Sequence, residues 1–368
     1  MNTVCHLTSA HPSNDIRIFH KECLSLQKAG YHVVLLVSKN RVITGVEPEG
    51  IVIRTVPGLR FRLLRVLVAP WLFFVHALRC RASVYHLHDP ELLPAGFLLK
   101  AAGRRVLYDA HENTAHQVLN KYYLSGFLKQ PAAWLIRWFE NLAARFFDGI
   151  VASTEGVGLA FPSAHQSKIA LVRNYPDPKE FAGITAEGHK GGVCYVGTIS
   201  RGRGVETIID SVKYHEADVE LAGYQYPAGW LDRLLDHEGP GRVRYLGVVD
   251  RRGIRKILER ARVGLVVLSP GKNHQLALPV KMFEYMAAGL PVIASNFPLW
   301  KSIIEDHECG WCIEPDDPEQ LGYTIKRLLN DQELCRHMGE NGRRVVMEKY
   351  NWINEEKTLM KLYNKILA

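Results

Sequence analysis

The chain has 368 residues, 47% hydrophobic and 23% charged, with a formal net charge of +8. That length exceeds one simple core and suits two domains of ordinary size, and no tract is biased enough for disorder. A basic balance favours anionic partners (nucleic acid, nucleotide phosphates or an acidic membrane surface) without choosing among them.

Met1-Asn-Thr-Val-Cys-His opens directly as a strand with no basic leader, so no signal peptide is expected. The seven scattered cysteines predict reduced thiols in a cytosolic compartment rather than a disulfide framework. "TVCHLTS" reads as a strand, and "DIRIFHKECLSLQKAG" as an amphipathic helix ended by a glycine. "YHVVLLVS" and "IVIRTVP" are further strands. After them comes an apolar run, Val66 to Leu78, of about thirteen residues, short of the roughly 20 that span a bilayer. Arg60, Arg62, Arg65, Arg79 and Arg81 flank it.

"SVYHLHD", the helix "PELLPAGFLLKAAG" and the strand "RRVLYDAHEN" follow. Next is a segment from Tyr122 to Phe147 that mixes Trp134, Trp138, Phe127, Phe139, Phe146 and Phe147 with Lys121, Lys129, Arg137 and Arg145. Cations for head groups beside rings for the acyl boundary are what an interfacial helix needs; core helices with solvated basic faces look the same in sequence. "GIVAST" closes the first series. Short apolar strands alternating with helices argue for a parallel, doubly wound sheet.

"LVRNYPDPKEF" reads as a linker, after which "GGVCYVGTIS" restarts the pattern, followed by a helix from about Gly204 to Tyr214. "DVELAGY", "VRYLGVV", "VGLVVLS" and "PVIASN" supply further strands. The fold class expected is therefore α/β: two Rossmann-like domains facing a cleft, with ligands outside the carboxyl ends of the strands.

Polar stretches that directly follow strands should carry the chemistry. "GTISRGRG" has glycines at 197, 202 and 204, so backbone N–H groups face an anion while Arg201 and Arg203 supply charge. It is neither a Walker loop nor a Gly-x-Gly-x-x-Gly fingerprint, and an exposed basic turn is the alternative. In "PVKMFEYMAAGLPVIAS", Lys281 and Glu284 lie three residues apart on one face of an expected helix that Gly289 ends. A lysine near its N-terminus suits a diphosphate, and a carboxylate one turn on accepts two ribose hydroxyls.

These stretches, with "NYPDPKEF", resemble the C-terminal domain of retaining family-four glycosyltransferases of the GT-B fold. "HPSNDIRIFHKECLSLQKAGYHVVLL" and "YDAHEN" resemble its bacterial surface-polysaccharide members. The resemblance implies an acceptor-binding domain of residues 1–172 plus about 350–368, the last helix crossing back. Residues 173–349 would bind the nucleotide sugar. It makes Glu284 the second glutamate of the Glu-seven-residues-Glu motif, holding the donor ribose. Arg203 and Lys281 become diphosphate contacts, with Gly197, Thr198 and Arg201 in the donor loop. The first glutamate of the motif is replaced by Leu276, and Thr198 stands where many relatives carry arginine.

On the acceptor side the resemblance makes His111 the motif histidine of the cleft, with a positioning role, since the leaving phosphate itself takes the acceptor proton. His111 and Glu284 are thus the residues assigned to catalysis. Asp15, Arg17, His88 and Asp89 are candidates for the same wall, as is His86. His86 and His88 with Asp89 and His111 offer a metal-like set, but the family needs no metal or cofactor beyond its nucleoside-diphosphate-sugar donor. "CGWC", 309 to 312, has redox spacing without the strand-to-helix entry of a thioredoxin unit.

The expected protein is a retaining hexosyltransferase, cytoplasmic and peripheral to the cytoplasmic membrane. It would move a sugar onto a lipid-linked saccharide in O-antigen (lipopolysaccharide), capsule or exopolysaccharide biosynthesis. Its partners would be the donor, the acceptor and the inner-leaflet surface, not nucleic acid. The alternatives are a GT-B sugar-nucleotide epimerase or hydrolase, and a basic nucleic-acid-binding protein, for which no motif is present.

Overall fold

The computed structural model describes residues 2–43, 50–112, 114–119, 126–185, 188, 191–238 and 241–368. The chain divides into two compact units, Met1–Asn174 with Ile353–Ala368, and Tyr175–Trp352.

The first unit is built on a seven-stranded parallel sheet. Its strands are β1 (Thr3–Thr8), β2 (His32–Ser38), β3 (Ile51–Val56), β4 (Val84–Leu87), β5 (Arg105–Ala110), β6 (Gly149–Ala152) and β7 (Ile169–Leu171). Their order is β3-β2-β1-β4-β5-β6-β7. Central strands such as Val33-Val-Leu-Leu-Val37 are buried on both faces, as continuous apolar runs in a helix-covered parallel sheet must be. The chain reverses its direction of winding between β1 and β4, and the crevice outside their carboxyl ends is where such sheets bind ligands.

The second unit repeats the plan with β8 (Val193–Val196), β10 (Val219–Ala222), β12 (Val243–Tyr245), β13 (Val263–Val266), β14 (Val292–Ser295) and β15 (Gly310–Ile313). The order is β12-β10-β8-β13-β14-β15, so the switch point lies between β8 and β13. A two-residue pair, β9 (Ile199–Ser200) and β11 (Gln225–Tyr226), extends from the loops above it.

Three local features differ from the sequence expectation. β7 runs into Leu171, the first residue of the stretch read as a linker, and the Trp311-Cys312 pair sits in β15; three- and four-residue edge strands leave too little alternation to detect. The segment after β1 begins as a π-helix, Ile16–Cys23, before continuing as the α-helix Leu24–Lys28. The long aromatic segment forms the helix Gly126–Phe146, whereas Lys121 and Tyr122 lie outside the described residues.

No helix among the described residues is long and apolar enough to cross a membrane. All seven cysteines are free. Burial pushes both Cys309 and Cys312 up to about 12, which leaves the pair as inert thiols at neutral pH.

Candidate functional site

In the second unit, the β8 strand runs into Gly197, whose φ of 144° is open to glycine, and whose N–H donates to the Ala222 carbonyl. Gly223 must also be glycine: a Cβ there would stand 1.9 Å from the Gly197 carbonyl oxygen. Farther along, Gly204 has φ 67°, and a Cβ would meet the Val267 carbonyl at 2.1 Å. The Ser269 N–H donates to the Gly202 carbonyl at 3.1 Å. The loop from 197 to 204 is thereby folded tightly across the carboxyl ends of β8 and β13.

The helix Val280–Ala288 begins under this loop. Tyr285 fixes it: its hydroxyl accepts the Val196 N–H at 2.8 Å, and its ring fills the space that Gly264 leaves on β13. One turn earlier, Lys281 places Nζ 3.3 Å from the centre of the Tyr195 ring and within reach of Gly197. Burial lowers the Lys281 pKa well below the usual lysine value, and the Arg203 cation lowers it further. The Lys281 amine against the glycine turn, with the Arg203 charge near enough to act on it, forms a seat for an anion. Arg201 is far more open, 79% exposed, with Glu206 at 4.0 Å, and Thr198 is exposed beside it.

Glu284 is buried on the same helix but is not paired with Lys281. Arg251 approaches it at 2.7 Å and also reaches Glu180. Burial disfavours the Arg251 charge, but Glu284 and Glu180 outweigh that and raise its pKa. The carboxylate is therefore held by a cation from the helix Arg251–Arg260. Nothing in the spacing of "DRRGIRKILER" marks Arg251 for this, and Glu180 was visible only as part of a Pro-rich polar stretch. Leu276, at the position of the missing glutamate, is 64% exposed, and His274 Nδ1 is spent on the Ser269 carbonyl at 2.8 Å.

In the first unit, three predicted residues, Arg17, His88 and His111, converge on Asp109. Arg17 grips Asp109 through two 2.9 Å hydrogen bonds, donates to the Val172 carbonyl at 2.9 Å, and lies 3.2 Å from Glu22. Asp109 lies 3.5 Å from His88 and 3.6 Å from His111. His88 and His111 stack at 5.4 Å. Arg17 is thus an internal brace for the wall rather than an open acceptor contact, and Asp15 caps its helix by accepting from the Arg17 and Ile18 N–H groups.

His111 has a buried Nε2 without a partner among the described residues. Burial lowers its pKa to about 3 against the pull of Asp109, so it is neutral at pH 7, suited to hydrogen bonding and not to carrying a proton. Asp89 is turned elsewhere: it accepts from Thr8 Oγ1 at 2.9 Å and the Ser9 N–H at 2.6 Å, and pairs with His11 at 3.0 Å. His11 stands 5.1 Å from His111, with its ring about one-third exposed, at the carboxyl end of β1. Sequence inspection passed over His11, although "SAHPSND" directly follows a strand.

Among the described residues, two groups bring metal-ligating atoms within 4.8 Å of one another: His6, Glu22, His86 and His88, and then His88, Asp109 and His111. Asp89 is in neither. In the first, His6 Nδ1 and His88 Nε2 are 2.8 Å apart, and His86 Nδ1 meets the Tyr363 hydroxyl at 2.9 Å. Burial presses His6 and His86 toward the neutral imidazole, and Glu22, with Asp109 adding to it, toward the neutral acid.

With this geometry in place, comparison with known proteins is informative. A glycosyl transferase 4-like domain matches residues 17–173, and a group 1 glycosyl transferase domain matches residues 177–345. The chain belongs to the family-four glycosyltransferases of the GT-B fold. An uncharacterised glycosyltransferase of Methanocaldococcus jannaschii is 26% identical over 176 residues, 46% of this chain and 44% of that one. The chain thus spans about half the length of the curated relatives it matches. Sucrose-phosphate synthase of Thermosynechococcus elongatus superposes with a TM-score of 0.78 at 18% identity, covering 100% of both chains. Anabaena HepE in complex with UDP-glucose superposes at 0.68 with 14% identity, covering 99% of this chain and 100% of that one. Within this member of the family, Gly197, Arg203, Lys281 and Glu284 lie around one switch point, and His88, Asp89 and His111 around the other. Thr198 and Arg201 stay on the open rim of the first.

Proposed function

We propose that this glycosyltransferase moves a hexosyl group, with retained anomeric configuration, from a nucleoside-diphosphate sugar to a lipid-linked saccharide in bacterial surface-polysaccharide assembly. The observation that carries the donor side is Lys281 set against Gly197 within the influence of the Arg203 charge, with the buried Glu284 carboxylate one turn on. The diphosphate binds the two cations, with Arg201 and Thr198 at the rim, and the ribose hydroxyls donate to Glu284 beside Arg251.

On the acceptor side, His111 positions the attacking hydroxyl. Its low basicity supports front-face transfer, in which the oxygen of the leaving phosphate takes the proton and the bond to the acceptor oxygen forms as the bond to phosphate breaks. No cofactor besides the donor is invoked.

The exposed faces of two first-unit helices support a cytoplasmic protein held peripherally at the inner leaflet. Arg62–Leu78 contains no acidic residue, and Gly126–Phe146 contains only Glu140, which is buried. Trp71, Phe127 and Trp134 are all more than 60% exposed on these helices. Rings without carboxylates suit an anionic lipid surface.

Thermal-shift measurement with UDP, GDP, ADP and their common sugars tests the reading; the UDP-glucose complex of the Anabaena neighbour puts uridine nucleotides first. A ligand at a hundred times its Kd stabilises by about 2.7 kcal/mol. One nucleotide should do so, and the effect should fall in Glu284→Ala. Indifference to all of them would refute the donor site.

A further inference from the structure

Three helices of the first unit, Arg62–Leu78, Leu93–Ala101 and Gly126–Phe146, enclose a groove of about 410 Å³. All eight of its lining side chains are apolar, among them Leu67, Pro70 and Trp71 of the first helix, Phe97 and Leu98 of the second, and Phe139 of the third. That volume lies in the range of small-ligand sites, and a lining this predominantly apolar suits a hydrocarbon better than a sugar or a nucleotide. Leu67 and Trp71 are 59% and 61% exposed, an unusual position for large apolar residues on a groove wall.

The groove is tied to the acceptor wall by a short polar chain. Arg65 adjoins the groove residue Val66 in sequence and pairs through Nε with Glu91 at 3.0 Å. Glu91 lies three residues before the groove residue Pro94 and accepts from the Ser9 hydroxyl at 3.0 Å. Ser9 in turn holds Asp89, the partner of His11, whose ring neighbours His111. Arg65, next in sequence to the apolar groove, is thereby linked through Glu91, Ser9 and Asp89 to His11 and, by ring contact, to His111.

We propose that the groove seats the hydrocarbon chain of the acceptor lipid, with Arg65 at the lipid phosphate and the saccharide directed toward His11 and His111. This rests on the lipid-linked-acceptor reading above and names its anchoring site. The order is the order of parts in a lipid-phosphate-sugar. The groove helices Arg62–Leu78 and Gly126–Phe146 expose no carboxylate, so the acid set against Arg65 is Glu91 of the neighbouring turn. The guanidinium has five donors, so Glu91 at one edge leaves capacity for phosphate oxygens.

The test uses the full-length protein and farnesyl phosphate, below its micellar concentration, followed by tryptophan fluorescence and calorimetry. Saturable binding is expected, weakened at least about tenfold in Leu67→Asp, which sits at an exposed position and leaves the core intact. Arg65→Gln should weaken farnesyl phosphate several-fold and leave farnesol unchanged, a split that a merely structural arginine would not produce. No saturable binding by the wild-type protein, or equal binding by Leu67→Asp, overturns the proposal. So does binding that anionic phospholipid vesicles abolish while neither substitution matters, since the face would then meet bulk membrane. Nucleotide stabilisation of the wild-type protein is read separately: if it persists while the lipid fails, only the groove assignment falls.

Discussion

Arg251 stands 2.7 Å from the Glu284 carboxylate and bridges it to Glu180, so the carboxylate assigned to the donor ribose already has a cationic partner. A buried carboxylate needs such a partner to stay ionised, and removing it leaves an uncompensated charge. With Arg251 about 30% exposed, Arg251→Met should destabilise by about 1–3 kcal/mol in urea unfolding. In the double variant with Glu284→Gln much of that loss should be recovered, because the orphaned charge is gone. Additive losses would show that the pair is not coupled.

Lys281 gives the donor site a pH signature. Burial and then the Arg203 charge lower its pKa in the free protein, and a bound diphosphate would raise it again. Binding then takes up a proton wherever pH lies between the free and bound values, and affinity falls as pH rises through that window. Calorimetry of the stabilising nucleotide in buffers of different ionisation enthalpy should detect the uptake in wild type. Lys281→Met should bind more weakly, by about tenfold for one charged hydrogen bond lost, and show no uptake. Uptake that persists in the variant would assign the proton elsewhere.

The glycine loop and the Lys281–Glu284 helix step were legible because their determinants are local. Glycines at 197 and 204, two arginines between them, and a Lys-x-x-Glu step on one helix need only the strand–loop–helix order to be placed. The alternation of apolar strands and helices likewise declared two parallel sheets. What sequence did not show are partners brought in from a distance. Arg251 lies 33 residues from Glu284, and Glu22, on the helix after β1, meets His86 and His88 at the end of β4. An arginine among the basic residues of "DRRGIRKILER" looks like a solvated face until tertiary packing puts a carboxylate beside it. Arg17 failed differently: it was noticed for its position after β1, but its hydrogen bonds go to Asp109 and the Val172 carbonyl.

The His11–Asp89 pair should make stability depend on alkaline pH. Burial opposes the His11 charge, but Asp89 outweighs it, raising the pKa to about 9 from an ordinary 6.5. A folded-state value above the unfolded one contributes stability that is fully present below about pH 6.5 and is lost as pH rises through about 9. Wild type should therefore exceed His11→Gln in Tm at about pH 6, with the difference shrinking as pH approaches about 10. Because the imidazole is about one-third exposed, the margin should also narrow in high salt. A pH-independent difference would mean that the ring contributes by packing alone.

Two glycines of the second unit separate backbone strain from collision. Gly202 has φ 77° with no atom within 4 Å of a built Cβ, so Gly202→Ala meets only the left-handed penalty, about 1 kcal/mol. Gly223 has φ 143° and would drive its Cβ to 1.9 Å from the Gly197 carbonyl oxygen. Gly223→Ala should cost at least about 2 kcal/mol, because the backbone of one loop has to move. The backbone that moves is the glycine turn against which Lys281 rests. Nucleotide affinity should therefore fall in Gly223→Ala well beyond its change in Gly202→Ala, measured below both melting transitions. Equal affinities in the two variants would show that the Gly197 turn does not hold the donor.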